Sequence, residues 1–219
     1  MLSLKNIGYL LQKDFRLEWR MQYALNGLLL YVGSTVFLVY SAFNEMEPTT
    51  WITIFWIILL FASANAVAKS FTQESTGRQL YYYSLVSPQS VIFSKIIYNF
   101  FLLAIITLLT LAVYSLLLGF PVEKPKLLTL IILLGIANFA AIFSMVSAIA
   151  FKASGNATLV PVLSFPILIP VIMLLIGSSK ATLTQITDIN LNQNLGTLGA
   201  IFVMVFAVSG ILFPFLLKE

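Results

Sequence analysis

The side chains able to do chemistry are few and unevenly placed. The chain has no histidine and no cysteine, eight Asp and Glu, and twelve Lys and Arg. Without imidazole there is no general base with an ordinary pKa near neutrality. Without thiols there is no Cys nucleophile, disulfide framework or Cys/His metal site. No G-x-x-x-x-G-K-[ST] loop is present to cradle phosphates. One polar stretch concentrates what remains: residues 69–95, KSFTQESTGRQLYYYSLVSPQSVIFSK. It carries an acid (Glu74), a flexible point (Gly77), a base (Arg78), an aromatic run (Tyr81, Tyr82, Tyr83), an apolar residue at Leu85 and a helix break at Ser87-Pro88. These groups suit recognition of a partner, as an amphipathic helix docks in a groove, rather than covalent catalysis. No catalytic, cofactor-binding or metal-ligating residue is expected.

The elements that hold this stretch follow from composition. Of 219 residues, 60% are hydrophobic and 9% charged, with mean hydropathy +0.99. A soluble domain carries about 25% charged residues, so this chain needs lipid to cover it. Charge-free runs occur at 21–44, 48–68, 96–122, 127–151, 153–179 and 189–217. Each exceeds the roughly 18–20 residues that cross a hydrocarbon core of about 30 Å as a helix. The runs are continuously apolar, without the alternation of a membrane barrel. The expectation is an all-α integral membrane protein with six transmembrane helices, forming a single transmembrane domain over residues 1–219.

Residues 3–20 differ from the spans. Ile7, Leu11, Phe15 and Trp19 recur every four residues, with Leu4 and Leu10 near that face. Lys5, Lys13, Asp14, Arg16, Glu18 and Arg20 are expected to lie mostly away from it. This pattern predicts an amphipathic helix over 1–20, lying in the membrane interface. The 69–95 connector is read as a short helix over 71–85, a break at Pro88, and a third span from about Ser94 to Gly119. Trp51 and Trp56, near the end of the second span, are expected in the interfacial aromatic belt.

Charge sets the orientation. With six spans, the N-terminus, the connector, the turn near Lys152 and the C-terminus share one side. That side holds Lys5, Lys13, Arg16, Arg20, Lys69, Arg78, Lys95, Lys152 and Lys218. The other holds only Lys124, Lys126 and Lys180. Both termini and the connector are therefore expected in the cytoplasm. The positive net charge reflects this topology and no nucleic-acid partner.

No charge-free run can serve as a proton relay, which needs intramembrane acids or histidines. The neutral polar residues Ser63, Asn65, Asn138, Ser144, Ser147 and Ser164 are expected to bond between helices. Pro161, Pro166 and Pro170 fall in one span, on nearly one face, and predict a functional bend. A membrane protein without its own energy source, with one conspicuous connector, suggests a subunit driven by an ATP-hydrolysing partner.

The chain resembles the CcmB family of haem-exporter membrane subunits over essentially its whole length. The resemblance rests on DFRLEWR (Asp14 to Arg20), on Phe71, Glu74, Gly77, Leu85-Val86-Ser87-Pro88 and Lys95, and on PVLSFPILIP (Pro161 to Pro170). Family members often carry an acid just after the glycine, where Arg78-Gln79-Leu80 has none. The resemblance implies a permease of ABC-2-like fold in the bacterial inner membrane, with residues 69–95 as cytoplasmic coupling element. It implies two copies joined to two copies of the ATPase CcmA, with CcmC, CcmD and the haem chaperone CcmE. ATP would be bound by the ATPase and haem handled by those partners, with release of haem-loaded CcmE outside the membrane. Glu74, Gly77, Arg78, Leu85, Ser87 and Pro88 would then couple to the ATPase. Met145 and Met173 are read as packing residues rather than haem ligands. The alternative reading is an ABC-2-type exporter for polysaccharide or drug.

Overall fold

A computed structural model describes residues 4–20, 22–43, 45–68, 86–154, 159–183 and 190–218. The described residues form seven helices and no strand. They are α1 (Leu4–Arg20), α2 (Gln22–Ala42), α3 (Pro48–Ala68), α4 (Pro88–Leu118), α5 (Pro125–Ser154), α6 (Leu159–Lys180) and α7 (Leu191–Lys218). Proline opens α3, α4 and α5. There its fixed φ is already helical and its missing N–H would have had no partner. The amides of Trp51 and Leu128 close the first turns of α3 and α5 on the carbonyls of Glu47 and Lys124, at 2.9 and 3.1 Å. Gly119 ends α4 at φ +76°, a conformation other residues rarely adopt.

Five helices, α3 to α7, are long and apolar enough to cross a membrane. The apolar part of α2 is shorter, Asn26–Ala42. α5 is the central helix and packs against α3, α4, α6 and α7. α1 packs chiefly on α4, and α2 lies against α4 and α3. Much of α4, α6 and α7 is exposed, including Leu116, Val162, Met173, Ile211 and Phe215. Such apolar faces are what a lipid solvent requires.

Several expectations need correction. α4 starts at Pro88, not near Ser94, so residues 88–95 are helix and not loop. Its 31 residues extend about 46 Å at 1.5 Å per residue, against a hydrocarbon core of about 30 Å. The first turns of α4 can therefore stand at or beyond the membrane surface. Trp51 and Trp56 are 1% and 0% exposed, not in an interfacial belt. They sit in a buried aromatic cluster with Phe55, Tyr114 and Phe139, and both indole N–H groups are bonded, Trp51 to the Gly119 carbonyl at 3.1 Å and Trp56 to Ser179 Oγ at 2.9 Å. Room for Trp56 comes from Gly135, where a Cβ would fall 2.5 Å from the Trp56 ring. Met145 is buried as a packing residue, but Met173 is exposed. Asn65 is also exposed, because helices that are apolar all round do not announce which face turns outward.

Candidate functional site

The candidate site is the junction where the connector enters the bundle. Of the coupling residues expected from sequence, Glu74, Gly77, Arg78 and Leu85 lie outside the described residues. Ser87 and Pro88 are described. Ser87 is the residue before α4, with extended backbone (φ −60°, ψ 136°), and Pro88 takes the first helical turn. Extended geometry before proline is what steric clash with the ring demands. The Ser87 carbonyl accepts the amides of Ser90 and Val91 at 2.9 and 3.3 Å, and the Ser87 and Ser90 hydroxyls share a hydrogen bond of 2.7 Å. Ser87 makes no side-chain cap bond.

Two turns further in, α4 meets α1. Lys95 Nζ donates to Asp14 Oδ1 at 3.1 Å, and the two side chains are 10% and 3% exposed. Lys13 Nζ lies 3.4 Å from the same oxygen. The Lys95 ammonium also lies 5.8 Å from the centre of the Tyr98 ring, within cation–π range. Phe15 meets Tyr98 edge-on at 5.4 Å and Phe101 at 6.3 Å. Ile7 and Leu10 are buried on the same side of α1, whereas Tyr9 is exposed. Asp14 thus belongs to the packed face of α1, not to its polar face. A carboxylate accepts this position because a cation from α4 meets it there. Neither the pairing nor the burial of Lys95 follows from local sequence, since 81 positions separate the partners.

Past this junction the bundle is held by neutral polar bonds. Asn99 Nδ2 on α4 donates to Ser144 Oγ on α5 at 2.7 Å. Asn138 Nδ2 on α5 reaches the Leu134 and Leu198 carbonyls at 2.9 and 3.2 Å, which ties α5 to α7. Sequence reasoning named Asn138 and Ser144 but missed Asn99. Ser63 and Ser147 are buried too, but their hydroxyls make no hydrogen bond among the described residues, contrary to the expectation. Ser164 bonds within its own helix, to the Pro161 carbonyl at 3.0 Å.

The three prolines divide. Pro166 and Pro170 lie inside α6, where each deletes an intrahelical bond, freeing the carbonyls of Val162 and Pro166. Pro161 is in the first turn, where no bond is lost. Pro166 and Pro170 are exposed and face away from the bundle. The opposite end of α6 is anchored. Its Ser179 bonds Trp56, and the Thr182 carbonyl just beyond it accepts the amides of Glu123 and Lys124 at 3.0 and 3.2 Å.

Apolar helices of membrane-crossing length, buried neutral polar bonds between them and one amphipathic helix against the bundle define a multi-pass integral membrane protein. A search of curated proteins found no match. The sequence profile of the family described as CcmB protein matches residues 5–218, and the chain belongs to that family. Family members are membrane subunits of the haem-exporter ABC transporter of the inner membrane, act in cytochrome c biogenesis and associate with the ATPase CcmA and other Ccm components.

Proposed function

We propose that this chain converts ATP turnover by a CcmA-like ATPase into movement of the membrane bundle, and so drives release of haem-loaded CcmE-like chaperone outside the membrane. The family match over residues 5–218 carries the reading. Connector residues Glu74, Gly77, Arg78 and Leu85 receive the ATPase, and Ser87 and Pro88 pass the push into the start of α4. A mechanical role fits a chain with no His or Cys, the usual strong protein ligands of haem iron. Chemistry at ATP belongs to the partner, and this subunit is non-catalytic.

The topology carries six spans with both termini cytoplasmic. Contact between α1 and the start of α4 supports this by parity. An interfacial α1 and the end of the connector then lie at the same membrane face. Among the described residues α2 and α3 separate them, so if α3 crosses and the polar connector does not, α2 must cross as well. The 21 residues of α2 reach about 32 Å, enough for the hydrocarbon core. The excess of Lys and Arg on that face makes it cytoplasmic. Two copies per complex complete the assembly.

Affinity purification of the tagged chain from mild detergent, with mass spectrometry of its companions, tests the reading. Recovery of an ABC ATPase together with haem-handling membrane proteins supports it. An ATPase accompanied by sugar-export components would keep the coupling and change the cargo. Absence of any ATPase would remove the energy source and overturn it.

A further inference from the structure

Among the described residues, the Asp14–Lys95 contact is a buried ion pair in a bundle otherwise held by apolar packing and neutral hydrogen bonds. Its two side chains are about nine-tenths buried. Taking both charges out of water costs much of what their attraction returns, and apolar replacements of similar volume are often equally stable. What an ion pair adds is registry. Apolar surfaces such as Phe15 on Tyr98 and Phe101 can slide by part of a turn at low cost, whereas a buried carboxylate 3.1 Å from an ammonium cannot. The pair sits where registry matters to the proposed coupling. Lys95 lies two turns beyond Pro88, the point at which the connector enters α4. From Ile96 to Leu118, α4 continues for about 34 Å, enough to cross the hydrocarbon core. With Ile96–Leu118 across the core, the pair falls at the membrane surface, between the connector and the spanning part of α4. Lys13 at 3.4 Å and Tyr98 beneath the ammonium fix both partners further.

We propose that Asp14 and Lys95 are positioning residues that make α1 and the first turns of α4 move as one body, so that the interfacial helix belongs to the element the ATPase drives. This rests on the coupling function proposed above. A push delivered at Pro88 then displaces α1 along the membrane surface together with α4, instead of letting α4 slip past it.

The test uses the full chain in its complex with the ATPase and haem-handling partners. The double variant Asp14→Leu/Lys95→Met removes both charges without leaving either one buried alone. It is expected to insert, to retain its thermal stability and to co-purify with the ATPase at the wild-type level. ATP hydrolysis should continue while cytochrome c maturation in cells falls about tenfold, within the roughly 5–150-fold range of coupling energies between sites. Normal maturation in this variant would reduce the pair to packing and overturn the proposal. A second measurement does not depend on that variant folding. The chain has no cysteine, so spin labels at Gln12→Cys with the exposed Ile105→Cys, and at Gln12→Cys with Leu130→Cys, in complexes where labelled chains are diluted with unlabelled ones, report α1–α4 and α1–α5 separations. The first should stay constant between the nucleotide-free and ATP-trapped complexes while the second shifts. A nucleotide-dependent α1–α4 separation, or no change in either, would overturn the proposal. Failure of the wild-type chain to recover an ATPase would instead overturn the function on which it rests.

Discussion

Trp56 donates its indole N–H to Ser179 Oγ at 2.9 Å, joining α3 to the end of α6 across 123 positions of sequence. The bond is fully buried, and the ring stands against Gly135 of the central helix and edge-on to Phe139. Three helices thus meet at one indole. Beside it, the Thr182 carbonyl gathers the amides of Glu123 and Lys124, so the loop before α5 is tied to the same point. This end of the bundle is fixed, and the junction with the connector lies at the other end of α4.

Gly135→Ala is expected to destabilise the chain more than any other glycine substitution on α5, α6 or α7 apart from that at Gly210. A Cβ at 135 would stand 2.5 Å from Trp56 and 3.1 Å from Leu175, and the ring is too confined to move aside. Overpacking of this kind costs about 1–3 kcal/mol. Gly177→Ala and Gly199→Ala, where nothing lies within 4 Å, should be neutral or mildly stabilising by removing helix-interior glycine. Thermal unfolding in detergent of the three variants checks the order.

Trp56→Phe keeps most of the ring and removes only the donor. Combined with Ser179→Ala in a double-mutant cycle, it should give a coupling of about 0.6 kcal/mol and at most about 1.7 kcal/mol, as for interhelical bonds in membrane proteins. A cycle energy near zero would mean that the indole contributes shape alone.

Which polar residues hold the bundle was only partly legible in sequence. Helical class and the amphipathic α1 rest on local patterns, and those patterns decide them. The inward face of a span does not. Asn65 and Asn138 read alike, yet Asn65 is exposed and Asn138 joins α5 to the Leu198 carbonyl of α7. Asp14 was misplaced for a related reason. Its charge assigns it to the polar side of α1, and only a cation 81 positions away makes burial tolerable. Trp56 near the end of a span has the signature of an interfacial aromatic, and a single glycine on another helix admits it to the core. Each miss is a case of tertiary contact overriding a sound local rule.

The two asparagines give a direct contrast. Asn138→Ala should lower stability by about 1 kcal/mol through loss of the α5–α7 bond. Asn65→Leu should be neutral or stabilising, since it replaces a polar group exposed on the outside of the bundle. Chemical denaturation in mixed micelles compares them, and equal losses would contradict the assignment of faces.

Pro166 and Pro170 are expected to matter for function, and Pro161 is not. Each interior proline leaves a carbonyl without its intrahelical partner, which lowers resistance to bending at the exposed face of α6. Its far end is held by Trp56 and Thr182, so flexing concentrates in the first half. Pro166→Ala/Pro170→Ala should preserve or raise thermal stability and lower cytochrome c maturation severalfold. Pro161→Ala, in the first turn, should leave both at wild type. Equal effects from all three would show that flexing at Pro166 and Pro170 has no special place in the cycle.

The residues proposed to couple to the ATPase separate into two groups. Ser87 makes no cap bond through its side chain, so Ser87→Ala should cost less than the roughly 1 kcal/mol of a working N-cap and leave ATPase binding intact. Pro88→Ala should likewise start α4 correctly, because alanine is the best helix former. Gly77→Pro and Glu74→Lys act differently, on the stretch proposed to enter the ATPase. The first blocks any backbone arrangement that needs an amide donor or a positive φ at that point. The second reverses a charge offered to the partner, and truncating or reversing one side of a docked charge pair costs about 2–5 kcal/mol. Both should insert normally, since no spanning residue changes, and both should recover at least about tenfold less ATPase in pull-down, the loss that 1.4 kcal/mol produces. If the ATPase follows Gly77→Pro and Glu74→Lys undiminished but is lost with Pro88→Ala, docking lies at the start of α4 itself, and the segment before it is only a tether.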